Sequence, residues 1–97
     1  ATYINVSEQN HGRSTGNIVR FRGPTNDTGY TSVQSFDNVT DISNANGFSI
    51  IVGKIDSSGN ITDTTNYYYF VSTSTATTGG VAGGGAECSS GPVTLQA

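Results

Sequence analysis

A single cysteine, Cys88, means that no disulfide closes within this chain, so burial and hydrogen bonding must hold whatever fold it adopts. In an oxidising compartment Cys88 is the candidate for an intermolecular disulfide; elsewhere it reads as a small buried hydrophobe. The one histidine, His11, together with one thiol far away in sequence does not make a structural metal site of nitrogen and sulfur ligands. Only four residues are basic, Arg13, Arg20, Arg22 and Lys54. So few cations do not track a phosphate backbone, which argues against a nucleic-acid partner. Lys54 is the only lysine, and the glycine-rich stretch 79–85 lacks the Gly-Lys-Ser/Thr ending of a phosphate loop. No apolar run approaches the length of a membrane span, the longest aliphatic cluster being residues 48–52, so no membrane partner is expected. No leader-like segment opens the chain, and Ala1 reads as following either a removed initiator methionine or a cleaved leader.

Hydrophobic residues make up 33% of the 97 and charged residues 11%. Small polar residues fill the deficit: 12 Ser, 14 Thr, 9 Asn and 13 Gly. Thr, Tyr, Phe, Ile and Val suit pleated strands, while Gly, Asn and Ser suit turns, so the expectation is a single all-β domain spanning 1–97. The formal net charge of −3 is unevenly spread. Residues 1–24 hold three arginines against Glu8, giving +2, and residues 25–97 hold Lys54 against five Asp and Glu87, giving −5. Head-to-tail packing of identical copies suits such polarity.

Along the chain, Tyr3-Ile4-Asn5-Val6 alternates and reads as a short first strand at a sheet edge. A polar loop follows over 8–16. Residues 17–22 read as a strand with Val19 and Phe21 on one face and Ile18, Arg20 and Arg22 on the other, stopped by Gly23-Pro24. A further strand is expected from Tyr30 to Phe36. Phe36, Val39 and Ile42 are spaced three apart, so 37–46 holds either one helical turn ended by Asn46-Gly47 or a loop, and the path between Phe36 and Phe48 stays open. Residues 48–55 are the most apolar stretch and read as a central strand. The Asp-Ser-Ser-Gly at 56–59 reads as a hairpin turn with Gly59 in the left-handed conformation.

Motifs that carry chemistry are sparse. Gly12-Arg13-Ser14-Thr15-Gly16 matches Gly-x-Ser-x-Gly, but no helix follows Gly16 and His11 lies only three residues before Ser14, so neither catalysis nor a catalytic residue is assigned. Asp37, Asp41, Asp56 and Asp63 offer oxygen ligands outside any EF-hand spacing, and turn capping explains most of them; no metal or cofactor is expected. Asn5, Asn26, Asn38 and Asn60 each open an Asn-x-Ser/Thr glycosylation triplet. Thr73, Thr75 and Thr77 alternate as on an ice-binding strand, although a single row is the ordinary surface of a sheet.

The run Ile61-Thr62-Asp63-Thr64-Thr65-Asn66-Tyr67-Tyr68-Tyr69-Phe70-Val71 organises the rest. Read with period two, it sets Tyr67, Tyr69 and Val71 on the core face, with Ile61 anchoring the approach. Ile61, Thr65, Tyr67, Tyr69 and Val71 resemble the tyrosine-corner stretch of fibronectin type III domains, with Asp63 where that family has proline. Pro92-Val93-Thr94-Leu95 is similar to their last strand. The resemblance implies an antiparallel two-sheet β-sandwich of about six to eight strands of fibronectin type III or immunoglobulin-like type, with a tyrosine hydroxyl bonded to main chain just upstream. Phe21 then takes the place of that family's usual tryptophan. The same phase turns Tyr68 and Phe70 outward, and these, with Tyr30, form the candidate interaction surface. Scarce chemistry, few lysines and exposed aromatics point to a non-catalytic structural module that packs with copies of itself or a larger protein, on a virion or in an extracellular assembly. The alternative is a carbohydrate-binding module whose aromatics stack on sugar rings.

Overall fold

A computed structural model of the chain describes residues 2–23, 34–83 and 86–97. In chain order its strands are β1 (Thr2–Ser7), β2 (Ile18–Val19), β3 (Phe48–Ser49), β4 (Ile51–Val52), β5 (Lys54–Ile55), β6 (Ile61–Thr62), β7 (Tyr67–Ser72), β8 (Glu87–Cys88), β9 (Gly91–Pro92) and β10 (Thr94–Gln96). A short helix, α1 (Val39–Ile42), lies between β2 and β3. The protein is all-β, as the composition implies. Among the described residues, pairing is divided among one four-stranded sheet of order β10-β1-β7-β4 and three two-stranded sheets, β2-β3, β5-β6 and β8-β9. The strand expected from Tyr30 falls partly outside the described residues; at its end Phe36 makes an isolated bridge to Ala76.

β1 and β7 form the long antiparallel pair at the centre, so β1 is an interior strand rather than an edge. Their register sets Ile4 opposite Phe70 and Val6 opposite Tyr68 on one face, and Tyr3 opposite Val71 and Asn5 opposite Tyr69 on the other. The first face is the core. Tyr68 and Phe70 are 0% and 2% exposed, whereas Val71 is 49% exposed and Ile61 47%. The expected phase of β7 is therefore reversed. Four consecutive aromatics, Tyr67 to Phe70, contain no polar residue to mark the outer face, so the run alone is consistent with either phase. The partner strand decides it: β1 has aliphatics only at Ile4 and Val6, and these face Phe70 and Tyr68.

Across the core, Phe21 stacks on Phe70 with ring centroids 5.0 Å apart, and Phe48 stacks on Phe70 at 4.3 Å. Val19 and Phe21 are buried while Ile18, Arg20 and Arg22 are exposed, the alternation expected for this stretch. A side chain enclosed as Phe70 is stabilises the fold by roughly 1.5–3 kcal/mol.

Residues 48–55, expected as one central strand, instead serve three partners: β3 pairs with β2, β4 with β7 and β5 with β6. Gly53 makes the last change of direction. Its φ is +115°, and a Cβ there would lie 2.2 Å from Cγ2 of Ile61. The backbone passes where no side chain fits, and β5 folds over the outer face of the sheet. Asn5 fastens it there like a missing strand: its Oδ1 accepts from the Ile55 N–H and its Nδ2 donates to the Ile55 carbonyl, both at 2.8 Å. The turn beyond is as expected, with Gly59 at φ +85° and the Asp56 carboxylate accepting from the N–H groups of Ser58 (2.8 Å) and Asn60 (2.9 Å).

The helical turn within 37–46 is also present. Asn38 caps α1 by accepting from the Asp41 N–H at 3.1 Å, but the helix ends at Ile42 with Ser43 as its cap rather than at Asn46-Gly47; Gly47, at φ +69°, closes a separate turn by donating to the Asn44 carbonyl at 3.2 Å. Asp41 then ties α1 to the end of β7: its carboxylate accepts from the Ser72 hydroxyl and from the Thr73 N–H at 2.9 Å. These donors, the Ser72 hydroxyl foremost, hold it below the usual carboxylate range. The Thr75 and Thr77 hydroxyls donate to Asp37 and to the Ser35 carbonyl, and residues 73–77 lie beyond the end of β7, so no free row of threonines results.

Candidate functional site

No strand position on the outer face of the four-stranded sheet carries a charge. The register places Thr94 and Gln96 of β10, Tyr3, Asn5 and Ser7 of β1, Tyr67, Tyr69 and Val71 of β7, and Ile51 of β4 on it. The β5-β6 hairpin covers the part around Asn5. Outside it lies an open apolar patch, with Tyr3 55% exposed, Val71 49% and Ile51 42%. The Tyr3 ring meets Tyr69 edge-on at 5.7 Å and so closes Tyr69 off beneath it. At one margin Lys54 sets its ammonium 4.9 Å from the centre of the Tyr67 ring.

Beneath the opposite face lies a polar cluster. Oε1 of Glu8 accepts from the Tyr68 hydroxyl (2.8 Å), the Cys88 thiol (3.2 Å) and Nε of Arg13 (3.3 Å). One carboxylate oxygen thus joins the 8–13 loop, β7 and β8. Burial pushes the Glu8 carboxyl upward, but the hydrogen bonds from Tyr68 and Cys88 and the Arg13 charge outweigh it and leave the group below its ordinary range. Burial, and then the bond to Glu8, push the Tyr68 hydroxyl far above the usual phenol range. His11 packs edge-on against Tyr68 at 5.3 Å. Its Nδ1 accepts from the Arg13 N–H (2.9 Å), which puts the ring hydrogen on Nε2, facing the Tyr67 carbonyl (3.1 Å).

The sequence-derived candidates fare differently. Tyr68 and Phe70 belong to the core rather than to a surface, because Val6 and Ile4 face them. The aromatic stack proposed for a sugar ligand loses both, while Tyr30 and Asn26 lie outside the described residues. Cys88 is 3% exposed and hydrogen-bonded to Glu8, with Ser90 Oγ at 3.1 Å, so in this fold its sulfur is closed to an intermolecular disulfide. Both nitrogens of His11 are committed to main chain, and Ser14 instead forms a turn with Asn17, bonded in both directions at 2.9 and 3.0 Å. Asn5 is 7% exposed with its Oδ1 and Nδ2 both bonded to Ile55, which closes that glycosylation triplet; Asn38 and Asn60 are exposed. The tyrosine hydroxyl that reaches back is that of Tyr68, and its acceptor is a side chain 60 positions upstream. Tyr3 and Ile51 are the surface residues that the sequence reading missed. Their signal was Tyr3 and Asn5 alternating with Ile4 and Val6, a strand with something to cover on both faces.

Comparison with protein-family models, curated proteins and solved structures finds no match to this chain. Among the described residues no helix is long and apolar enough to cross a membrane.

Proposed function

We propose that this domain is a non-catalytic assembly module that packs against a second copy of itself through the outer face of its four-stranded sheet, in a virion or extracellular surface structure. The four-stranded sheet and the β2-β3 pair across the core are read as the two layers of a fibronectin type III-like sandwich. The observation that carries the assembly reading is the open patch of Tyr3, Val71 and Ile51 on a sheet face with no charged position. A two-fold related copy brings the same patch to it and meets no like-charge penalty.

Each of the three side chains is already half-covered, so completing its burial contributes about 1 kcal/mol. A two-fold contact doubles the set to six, for about 6 kcal/mol, which is comparable with the cost of association. A single contact is therefore weak and depends on concentration, as suits a subunit that gains strength from many neighbours. Light scattering across concentration tests this. The expected result is a mass that rises with concentration in the wild type, and a monomer throughout in the Tyr3→Ser, Val71→Glu double variant, whose cooperative thermal transition confirms that it is folded. A wild type that stays monomeric to its solubility limit, or a double variant that assembles equally well, overturns the reading.

A further inference from the structure

We infer that the groove beside β2 binds an extended acidic peptide segment, which adds as a strand to the open edge at Ile18 and Arg20. This site lies across the core from the assembly face and stands or falls independently of it. The groove has a volume of about 630 Å³ and is lined by the consecutive residues 18–22, with Arg13, Asn44 and Ser89 among its other walls.

The main chain explains why the edge is open. Val19 pairs with Phe48, and the Asn17 carbonyl accepts from the Ile50 N–H at 3.0 Å, so the carbonyl of Asn17 and the main-chain groups of Val19 turn toward β3. Burial alternates through 18–22, so the run is extended and the groups of 18, 20 and 22 turn the other way. Arg22 is met there: it exchanges two main-chain hydrogen bonds with Glu87, at 2.8 and 2.7 Å. Just beyond, β8 ends and the chain turns through Ser89 and Ser90 into β9. Among the described residues Ile18 and Arg20 have no strand opposite them, and the groove occupies that space. An added peptide continues the line that β8 abandons.

Charge selects the occupant. All three arginines of a chain with net charge −3 line this groove. Arg13 is paired with Glu8 at 3.3 Å and Arg22 with Glu87 at 3.2 Å, while Arg20 is exposed and makes no ion pair among the described residues. Arg20 and Arg22 stand two positions apart on one face, roughly 7 Å, the spacing of carboxylates at alternate positions of an adjacent strand. Ile18, 58% exposed, offers an apolar contact in the same row. Cations of one sign also discourage two copies of this edge from pairing with each other.

The probe is a blocked peptide of alternating glutamate and valine, followed by fluorescence anisotropy and by amide chemical shifts of the labelled protein. Parallel arms use a lysine-for-glutamate peptide, a peptide N-methylated at alternate amides, and an oligomeric uronate. The expected result is binding of the acidic peptide that moves the Ile18 and Arg20 amides, is weakened about tenfold or more by Arg20→Ala, and is lost with lysine or N-methylation. Arg20 is exposed, and the thermal midpoint confirms that its variant folds. The inference is overturned if the acidic peptide does not bind, if Arg20→Ala has no effect, or if the uronate binds in its place with those amides unmoved. The Tyr3→Ser, Val71→Glu variant retains peptide binding, which separates this outcome from the assembly result.

Discussion

Asn5→Ala tests the means by which the β5-β6 hairpin is held on the sheet. The wild-type amide satisfies both the N–H and the carbonyl of Ile55 at 2.8 Å, and Asn5 is 7% exposed. Alanine removes both partners and leaves two part-buried main-chain groups unpaired, each costing about 1–3 kcal/mol. Water admitted as the hairpin lifts offsets some of this, so the expected loss is about 2–4 kcal/mol. In a domain of this size that lowers the thermal midpoint by roughly 10 °C or more. Hydrogen exchange should accelerate first at Lys54 and Ile55, ahead of β1 and β7, because the hairpin loses its anchor while the central pairing does not. Asn5→Asp keeps the acceptor but turns a carboxylate toward the Ile55 carbonyl, and should be at least as damaging at neutral pH. A midpoint within roughly 3 °C of wild type for Asn5→Ala, with unchanged exchange in β5, would refute the reasoning.

Three further outcomes are expected. Because the Glu8 carboxyl titrates lower when folded than when unfolded, its contribution is present above the ordinary carboxylate value of about 4.3 and disappears as pH falls through the depressed folded value. The stability gap between wild type and Glu8→Gln, measured by urea titration, should therefore be widest near neutrality and narrow in acid; a pH-independent gap argues against the cluster. Cys88 should resist alkylation in the native protein and react fully in denaturant, and the mass in light scattering should be unaffected by reductant, since its sulfur is buried against Glu8. Gly53→Ala combines a left-handed backbone with a Cβ 2.2 Å from Ile61, and should cost at least 1–3 kcal/mol in chemical denaturation, whereas Gly59→Ala, with open space at its Cβ, should cost less.

Much of the local structure was legible in the residues. Gly59 after Asp56-Ser57-Ser58 specified its turn, the spacing of Phe36, Val39 and Ile42 admitted a helical turn beside a loop, and the alternation of Val19 and Phe21 with Ile18, Arg20 and Arg22 specified which side of that strand is buried. Each of these depends on neighbours within a few positions: a carboxylate that reaches its own turn, a glycine free to take positive φ, a polar residue marking the outside of a strand.

The sequence by itself determined that this is an all-β chain without an internal disulfide, with its cations concentrated in the first quarter. Only the tertiary structure decided which face of β7 is core, because Tyr67 to Phe70 is aromatic at every position and its phase is chosen by Ile4 and Val6 more than 60 positions away. It also decided that residues 48–55 divide among three partners and that Glu8, Arg13, Tyr68 and Cys88 meet. It placed Arg20 with the other two arginines along one groove. Each of these is a pairing between distant segments, fixed by the burial and hydrogen bonding of the whole chain rather than by any pattern within one stretch.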